Sequence, residues 1–154
     1  MKILLASSEV DPFAKTGGLA DVVGALPAHL SDAGHEAVVF MPAYPSVFQT
    51  EVDFNDLGIE LQIPLGDSLA IGRVLEGKIP GSDVSIFCVR NEQYFDRLSL
   101  YGEEGFDYPD NCERFIFFCR AVLECIRQLD FKPDLIHAND WQTGLIPALS
   151  LIHI

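Results

Sequence analysis

Basic residues are scarce in this sequence: 10 Lys and Arg stand against 23 Asp and Glu, giving a net charge of −13 and an isoelectric point near 4.4. Such a surface repels phosphate backbones and anionic lipid unless basic side chains cluster, and the sequence contains no such cluster, which argues against nucleic-acid and membrane partners. Long apolar runs are also lacking. No stretch has the length needed to span a bilayer, and the short apolar opening after Met1 and Lys2 ends at Ser7, Ser8 and Glu9, unlike a secretory leader. Cys88, Cys112, Cys119 and Cys125 lack C-x-x-C pairing, and the last three fall in one apolar helical segment. They read as reduced, structural thiols, which points to a reducing, cytoplasmic setting. Neither the dinucleotide pattern G-x-G-x-x-G nor the Walker pattern G-x-x-x-x-G-K-[ST] occurs, so a dehydrogenase or P-loop nucleotidase loses its main support.

What is present is the balance of a packed core, 49% apolar to 21% charged in 154 residues, enough for one ordinary domain. Residues 2–6 form a continuous apolar run, the pattern of a strand buried on both faces of a parallel sheet. A loop with Pro12, Gly17 and Gly18 follows; then Leu19, Val22, Val23, Leu26 and Leu30 recur at helical spacing up to Gly34, with Pro27 expected to bend or shorten the helix. Residues 36–41 are again apolar, so the chain opens as a β-loop-α-β unit of a Rossmann-like, doubly wound, mostly parallel α/β sheet. Strands are expected at residues 58–65, 69–76 and 84–89, the first two closed into a hairpin by Gly66 and Asp67. Residues 90–110 read as an ordered surface loop with a helical turn, 111–129 as the strongest helix, 135–137 as a short strand and 144–149 as the start of another helix.

Three constellations can carry chemistry. Lys15-Thr16-Gly17-Gly18-Leu19-Ala20-Asp21 opens a helix at the carboxyl end of a strand, where open α/β sheets bind ligands. Two glycines allow close backbone approach, the N–H groups of a helix start suit a phosphate, and Lys15 adds a full charge; a plain glycine turn with a solvated lysine is the competing reading. His137-Ala138-Asn139-Asp140-Trp141-Gln142 follows the strand at 135–137 and offers a His, an Asn and an Asp for sugar hydroxyls or developing positive charge, with Trp141 expected as a core anchor. One His and one Asp are too few to bind a metal, and neither a metal nor a cofactor is expected. The third constellation holds Tyr94-Phe95-Asp96-Arg97, Tyr101-Gly102 and Tyr108-Pro109-Asp110-Asn111, rings and polar groups suited to a carbohydrate surface, with Asp110 or Asn111 expected to cap the long helix.

Together these residues resemble the glycogen and starch synthases, glycosyltransferases that use a nucleotide-diphosphate glucose with retention of configuration. The likeness covers residues 1–148 and is carried by Ser8-Glu9, Pro12 and the run from Lys15 to Val22, by residues 94–111, and by the run from Asp134 to Trp141. It implies a GT-B enzyme with the active site between two Rossmann-like domains, of which this chain supplies the N-terminal one. It further implies that Lys15 and Gly18 face the diphosphate of ADP-glucose, with Thr16, Gly17, Asp21 and Asn111 on the substrate side. Asp140 and Tyr101 then line the catalytic cleft, and His137 supports the sugar-binding edge. The acceptor is an α-1,4-glucan, and the remaining catalytic groups belong to the C-terminal domain. Gln142 stands where the family commonly has His. Sucrose synthase relatives and glucan phosphorylases compete within the class, and a non-catalytic glucan-binding module competes outside it; the Lys-Thr-Gly-Gly loop near the N-terminus favours the synthases.

Residues 149–154 are set apart as a tail foreign to the domain, because they are also the translation of a common transposon-end sequencing adapter. Reading the coding DNA checks this: CTGTCTCTTATACACATC is expected there, and any other choice of codons rules it out.

Overall fold

A computed structural model of the chain describes residues 1–152. Its main sheet has six strands, β1 (Lys2–Ala6), β2 (Glu36–Pro42), β3 (Asn55–Leu65), β4 (Ser68–Lys78), β5 (Ser85–Arg90) and β8 (Leu135–Ala138), in the order β3-β4-β5-β2-β1-β8. The β5-β2-β1-β8 portion is parallel, and β4 and β3 extend it antiparallel. The apolar run of β1 has the cause expected of it: with β2 on one side and β8 on the other, Ile3, Leu4, Leu5 and Ala6 are all buried.

The chain leaves β1 through helix α1 (Gly18–Asp32) and steps outward to β2, then to β5 by way of the β3-β4 hairpin. It next crosses back through α2 (Glu92–Phe95), a two-stranded ribbon of β6 (Gly102–Glu103) and β7 (Phe106–Asp107), and helix α3 (Asn111–Gln128), to enter β8 on the other side of β1. Strand order therefore reverses between β1 and β8. At such a switch point the loops leaving two adjacent parallel strands diverge, and a crevice opens outside their carboxyl ends. Helix α4 (Ile146–Ile152) follows β8. Residues 153 and 154, the end of the segment read as a foreign tail, lie outside the described residues, while Leu149 packs against the core.

The hairpin turns at Gly66, whose φ of 60° is one that glycine adopts without steric cost. Both its strands are longer than expected, and β3 begins earlier because a register irregularity between Asp56 and Glu60 lets pairing resume beyond Gly58. Pro27 does not shorten α1, which continues to Asp32 with the proline ring buried. Val22, expected on the apolar face, is exposed. Cys88, Cys119 and Cys125 are buried, and burial raises the Cys119 and Cys125 thiols to about 11 and about 12, so they behave as inert packing groups. Cys112 differs from them in being exposed.

Gly24 fixes how closely α1 approaches the loop after β1. A Cβ there would lie 2.7 Å from the Asp11 carbonyl oxygen, which is backbone and held by the Asp11 N–H bond to Ala20 O, 3.0 Å long. In an open helix Gly→Ala stabilises by about 1 kcal/mol. Here the sign reverses, and Gly24→Ala is expected to lower urea-unfolding stability by about 1–3 kcal/mol.

Candidate active-site crevice

Where β1 ends, three polar residues stay inside: Ser7 and Ser8 are fully buried and Glu9 is 4% exposed. The Ser7 N–H donates to Phe40 O at 3.0 Å, prolonging the parallel ladder by one residue, and the Ser7 hydroxyl donates to Glu9 O at 2.7 Å. A buried carboxylate must be heavily hydrogen-bonded, and Glu9 is. Its Oε2 accepts from the backbone N–H of Thr16 at 2.6 Å and of Gly17 at 3.3 Å, and its Oε1 accepts from the Thr16 hydroxyl and the Tyr101 hydroxyl, each at 2.7 Å. Burial alone pushes this carboxyl up; the donors from Thr16, Tyr101 and Gly17 outweigh it and hold the group below the ordinary carboxylate value.

Glu9 therefore occupies two of the N–H groups expected to be open to a phosphate, those of Thr16 and Gly17. The ground above the loop is nonetheless clear. A Cβ at Gly17 or Gly18 would meet nothing within 4 Å, and Gly17 has an ordinary extended φ of −155°, so neither packing nor backbone conformation calls for glycine there. Lys15 is exposed and lies between two carboxylates, hydrogen-bonded to Asp21 and 3.7 Å from Asp11. The Asp21 bond is the main cause that holds its ammonium above the ordinary lysine value.

Tyr101 joins the three constellations. Its single hydroxyl proton goes to Glu9, so the Ser8 hydroxyl is the donor in their 2.7 Å contact. Its ring meets Phe115 at 6.0 Å and Trp141 at 6.1 Å between centroids, and Trp141 stands edge-on to Phe115 at 5.1 Å. Trp141 is thus not the core anchor expected of it: it is 56% exposed, half of an aromatic pair on the crevice wall. Tyr94, expected in a carbohydrate surface, is buried against Phe117 instead.

The Tyr101 backbone is fixed from below. Asn111 Nδ2 donates to Tyr101 O at 2.8 Å, and Asn111 Oδ1 accepts from Arg114 at 2.7 Å. Asn111 therefore holds the site from behind, with both polar ends engaged by protein. It does not cap α3 with its side chain, and neither does Asp110, whose carboxylate pairs with Arg97. Arg114 is fully buried and donates to the carbonyls of Tyr94 at 2.6 Å and Leu100 at 3.0 Å, ordering the segment that carries Tyr101. Burial lowers its pKa from the ordinary arginine value. Sequence reasoning assigned no role to Glu9 or Arg114; polar residues immediately after an all-apolar strand were the available signal for the first.

Across the switch point, the N–H and side-chain amide of Asn139 both donate to Ala6 O at 3.0 Å, locking the exit of β8 to that of β1. This removes Asn139 from the groups expected to meet sugar hydroxyls. Asp140 follows with φ 65° and ψ −179°, a conformation natural only to glycine. It is held by Thr143, whose buried hydroxyl donates to Asn139 O at 2.8 Å, and its own carboxylate is exposed and accepts from Trp141 N at 2.7 Å. His137 lies one strand position before the rim, in register with Leu5, exposed at the edge of the sheet. Gln142 is buried, with its carbonyl 3.3 Å from Cys119 Sγ, so its position does not face the crevice. The Lys15 loop and Asp140 thus rise from the carboxyl ends of adjacent parallel strands, bridged by Tyr101.

With this geometry in place, the comparisons with known proteins are decisive. The sequence model described as "Starch synthase catalytic domain" matches residues 2–151. The chain belongs to that family. Over 149 residues it is 50% identical to the glycogen synthase of Syntrophotalea carbinolica and 44% identical to glycogen synthase 2 of Geobacter sulfurreducens, in each case over 97% of this chain and 30% of the relative. The catalytic domain of starch synthase IV from Arabidopsis thaliana, solved with ADP and acarbose, superposes with a TM-score of 0.82 at 32% identity, again over 97% of this chain and 30% of that one. The chain therefore spans about 30% of the length of these relatives, and its fold is that of the matching part of the GT-B starch synthase catalytic domain. Among the described residues no helix is long and apolar enough to cross a membrane.

The strained Asp140 backbone gives a clean comparison. Asp140→Gly and Asp140→Ala both lose the carboxylate, so their difference isolates the conformation. The glycine variant is expected to be more stable in urea unfolding by about 1–3 kcal/mol.

Proposed function

We propose that this chain is the donor-side wall of a retaining glucosyltransferase that moves glucose from ADP-glucose to the non-reducing end of an α-1,4-glucan. The observation carrying this reading is the Tyr101 bridge, which joins an open glycine loop bearing Lys15 to the Asp140 carboxylate, carried on a strained backbone, across the switch point of the sheet. In this reading the diphosphate of the donor approaches over Gly17 and Gly18, where no side chain obstructs it, and Lys15 exchanges its pairing with Asp21 for the phosphoryl oxygens. As the glucosyl–oxygen bond breaks, negative charge grows on the leaving diphosphate and positive charge on the anomeric carbon. Lys15 stabilises the first, while Asp140, exposed on the opposite wall, offsets the second and orients polar groups around the sugar. The acceptor hydroxyl arrives on the face the diphosphate leaves and gives up its proton to the departing diphosphate oxygen as its own oxygen bonds the anomeric carbon, so ADP is released and configuration is retained.

Preorganised donors on every side of the diphosphate are what make such a transfer fast, and one wall does not enclose it. The other groups lie in sequence corresponding to the remainder of the longer relatives. The chain alone is therefore expected to show no glucosyl transfer from radiolabelled ADP-glucose to glycogen, while the chain joined to that remainder transfers with the α-anomer retained by proton NMR. Turnover by the chain alone at the rate of the joined protein overturns this assignment.

A further inference from the structure

The relation between the crevice and the buried carboxylate beneath it supports a further step. Glu9 touches no open surface of the crevice, yet every group it binds belongs to a part that does: the loop at residues 15–18 through Thr16 and Gly17, and the aromatic wall through Tyr101. We propose that Glu9 is a positioning residue, whose negative charge holds the Lys15 loop in its open shape and locks that loop, through Tyr101 and Trp141, to the Asp140 segment.

Three observations make the charge itself, and not only the volume, the active feature. Both carboxylate oxygens accept two bonds each, all from donors, and an uncharged amide at this position would offer one oxygen and present a donor to groups that are themselves donors. No cation neutralises Glu9: among the described residues its partners are all neutral donors, and Lys15, the nearest cation in sequence, turns outward to Asp21 and Asp11. The arrangement also decides where an incoming anion can lie. With Thr16 and Gly17 N–H groups held by a carboxylate below, a second anion is kept from them and displaced toward Gly18 and the first turn of α1, beside Lys15. Glu9 so acts on donor placement without contacting the donor. This last consequence rests on the reading of the loop as the diphosphate site; the holding of the loop does not.

The groups facing Glu9 are few, which makes the test sharp. They are the Thr16 hydroxyl, the Tyr101 hydroxyl and, coupled through space, Tyr44 from the segment after β2, while Asp140 couples in turn to Tyr101. Amide hydrogen exchange on the 154-residue chain is read by NMR at Thr16 and Gly17, with Ser7 and Asn139 as sheet controls and the emission of Trp141, the sole tryptophan, as the reporter of the far wall. Glu9→Gln is expected to speed exchange at Thr16 and Gly17 by about tenfold or more, the scale of losing a hydrogen bond to a charged acceptor, with the sheet controls unchanged and Trp141 emission shifted. Unchanged exchange at Thr16 and Gly17 overturns the proposal.

Tyr101→Phe decides the matter even where the first variant loses its sheet. Removing one donor raises the titration of the Glu9 carboxyl, followed by carbon NMR, while Thr16 and Gly17 stay protected; a titration identical to that of the unaltered chain overturns the coupling. Adding ADP-glucose separates the two readings. Protected Thr16 and Gly17 with no shift at Gly18 uphold the role of Glu9 and count against the donor site, whereas unprotected amides overturn the role of Glu9 whether or not the nucleotide sugar binds.

Discussion

The carboxylate of Glu9 is the constraint from which the rest of the crevice follows. A parallel strand buried on both faces ends at β1 by driving its next residues into the interior, and one of them is ionised. An ion without hydrogen-bond partners at that depth is not sustainable, since the cost of desolvation runs to several kcal/mol. The fold meets the cost with donors from two distant places in the chain, the start of α1 and the segment before α3. Neither is free to move without leaving the charge exposed to a dry interior. The shape of the Lys15 loop and the position of Tyr101 are thus two consequences of one buried charge.

The same reasoning extends outward. Tyr101 is held at its hydroxyl by Glu9 and at its carbonyl by Asn111, and Asn111 is held by Arg114, an arginine with no exposed surface whose remaining bonds go to main-chain carbonyls. Arg114 carries a charge for geometry: its Nε and Nη1, set in a rigid planar fork, fasten the largely irregular segment between α2 and α3 at Tyr94, Leu100 and Asn111. Irregular backbone is normally mobile, and a wall of a binding crevice made from it requires such fastening. The topology supplies the place, at the reversal of strand order between β1 and β8, and the polar network supplies the rigidity.

Much of this was legible in the residues. Apolar runs placed β1, β2 and β8, and helical spacing placed α1 and α3, because buried parallel strands and amphipathic helices leave periodic marks. The two rim segments were recognisable because they follow those strands directly. The directions of individual side chains were not legible. Trp141 looked like core, yet only the packing of Tyr101 and Phe115 decides that one face of its ring stays open. Asn139 and Asn111 looked like ligand groups, and each turns inward to backbone carbonyls whose positions depend on strands more than 90 residues away in the one case and on a loop in the other. Glu9 passed as the polar end of a strand, because a sequence does not reveal which polar residues are buried until the donors that satisfy them are located.

On the proposed reading, electrostatics limit what this wall does alone. Lys15 is the one cation on the rim loop of a chain with net charge −13, and it is already flanked by Asp11 and Asp21. A diphosphate that binds there gains the ammonium only by taking it from Asp21, so the interaction is an exchange of anions on one lysine and its net yield is small at an exposed site. Glu9 adds a third negative charge, beneath the loop, and occupies two of its backbone donors. Such a surface aligns an anion more than it attracts one. On the proposed reading, attraction sufficient to hold a leaving diphosphate has to come from cations outside this chain, and the geometry of this wall supplies orientation.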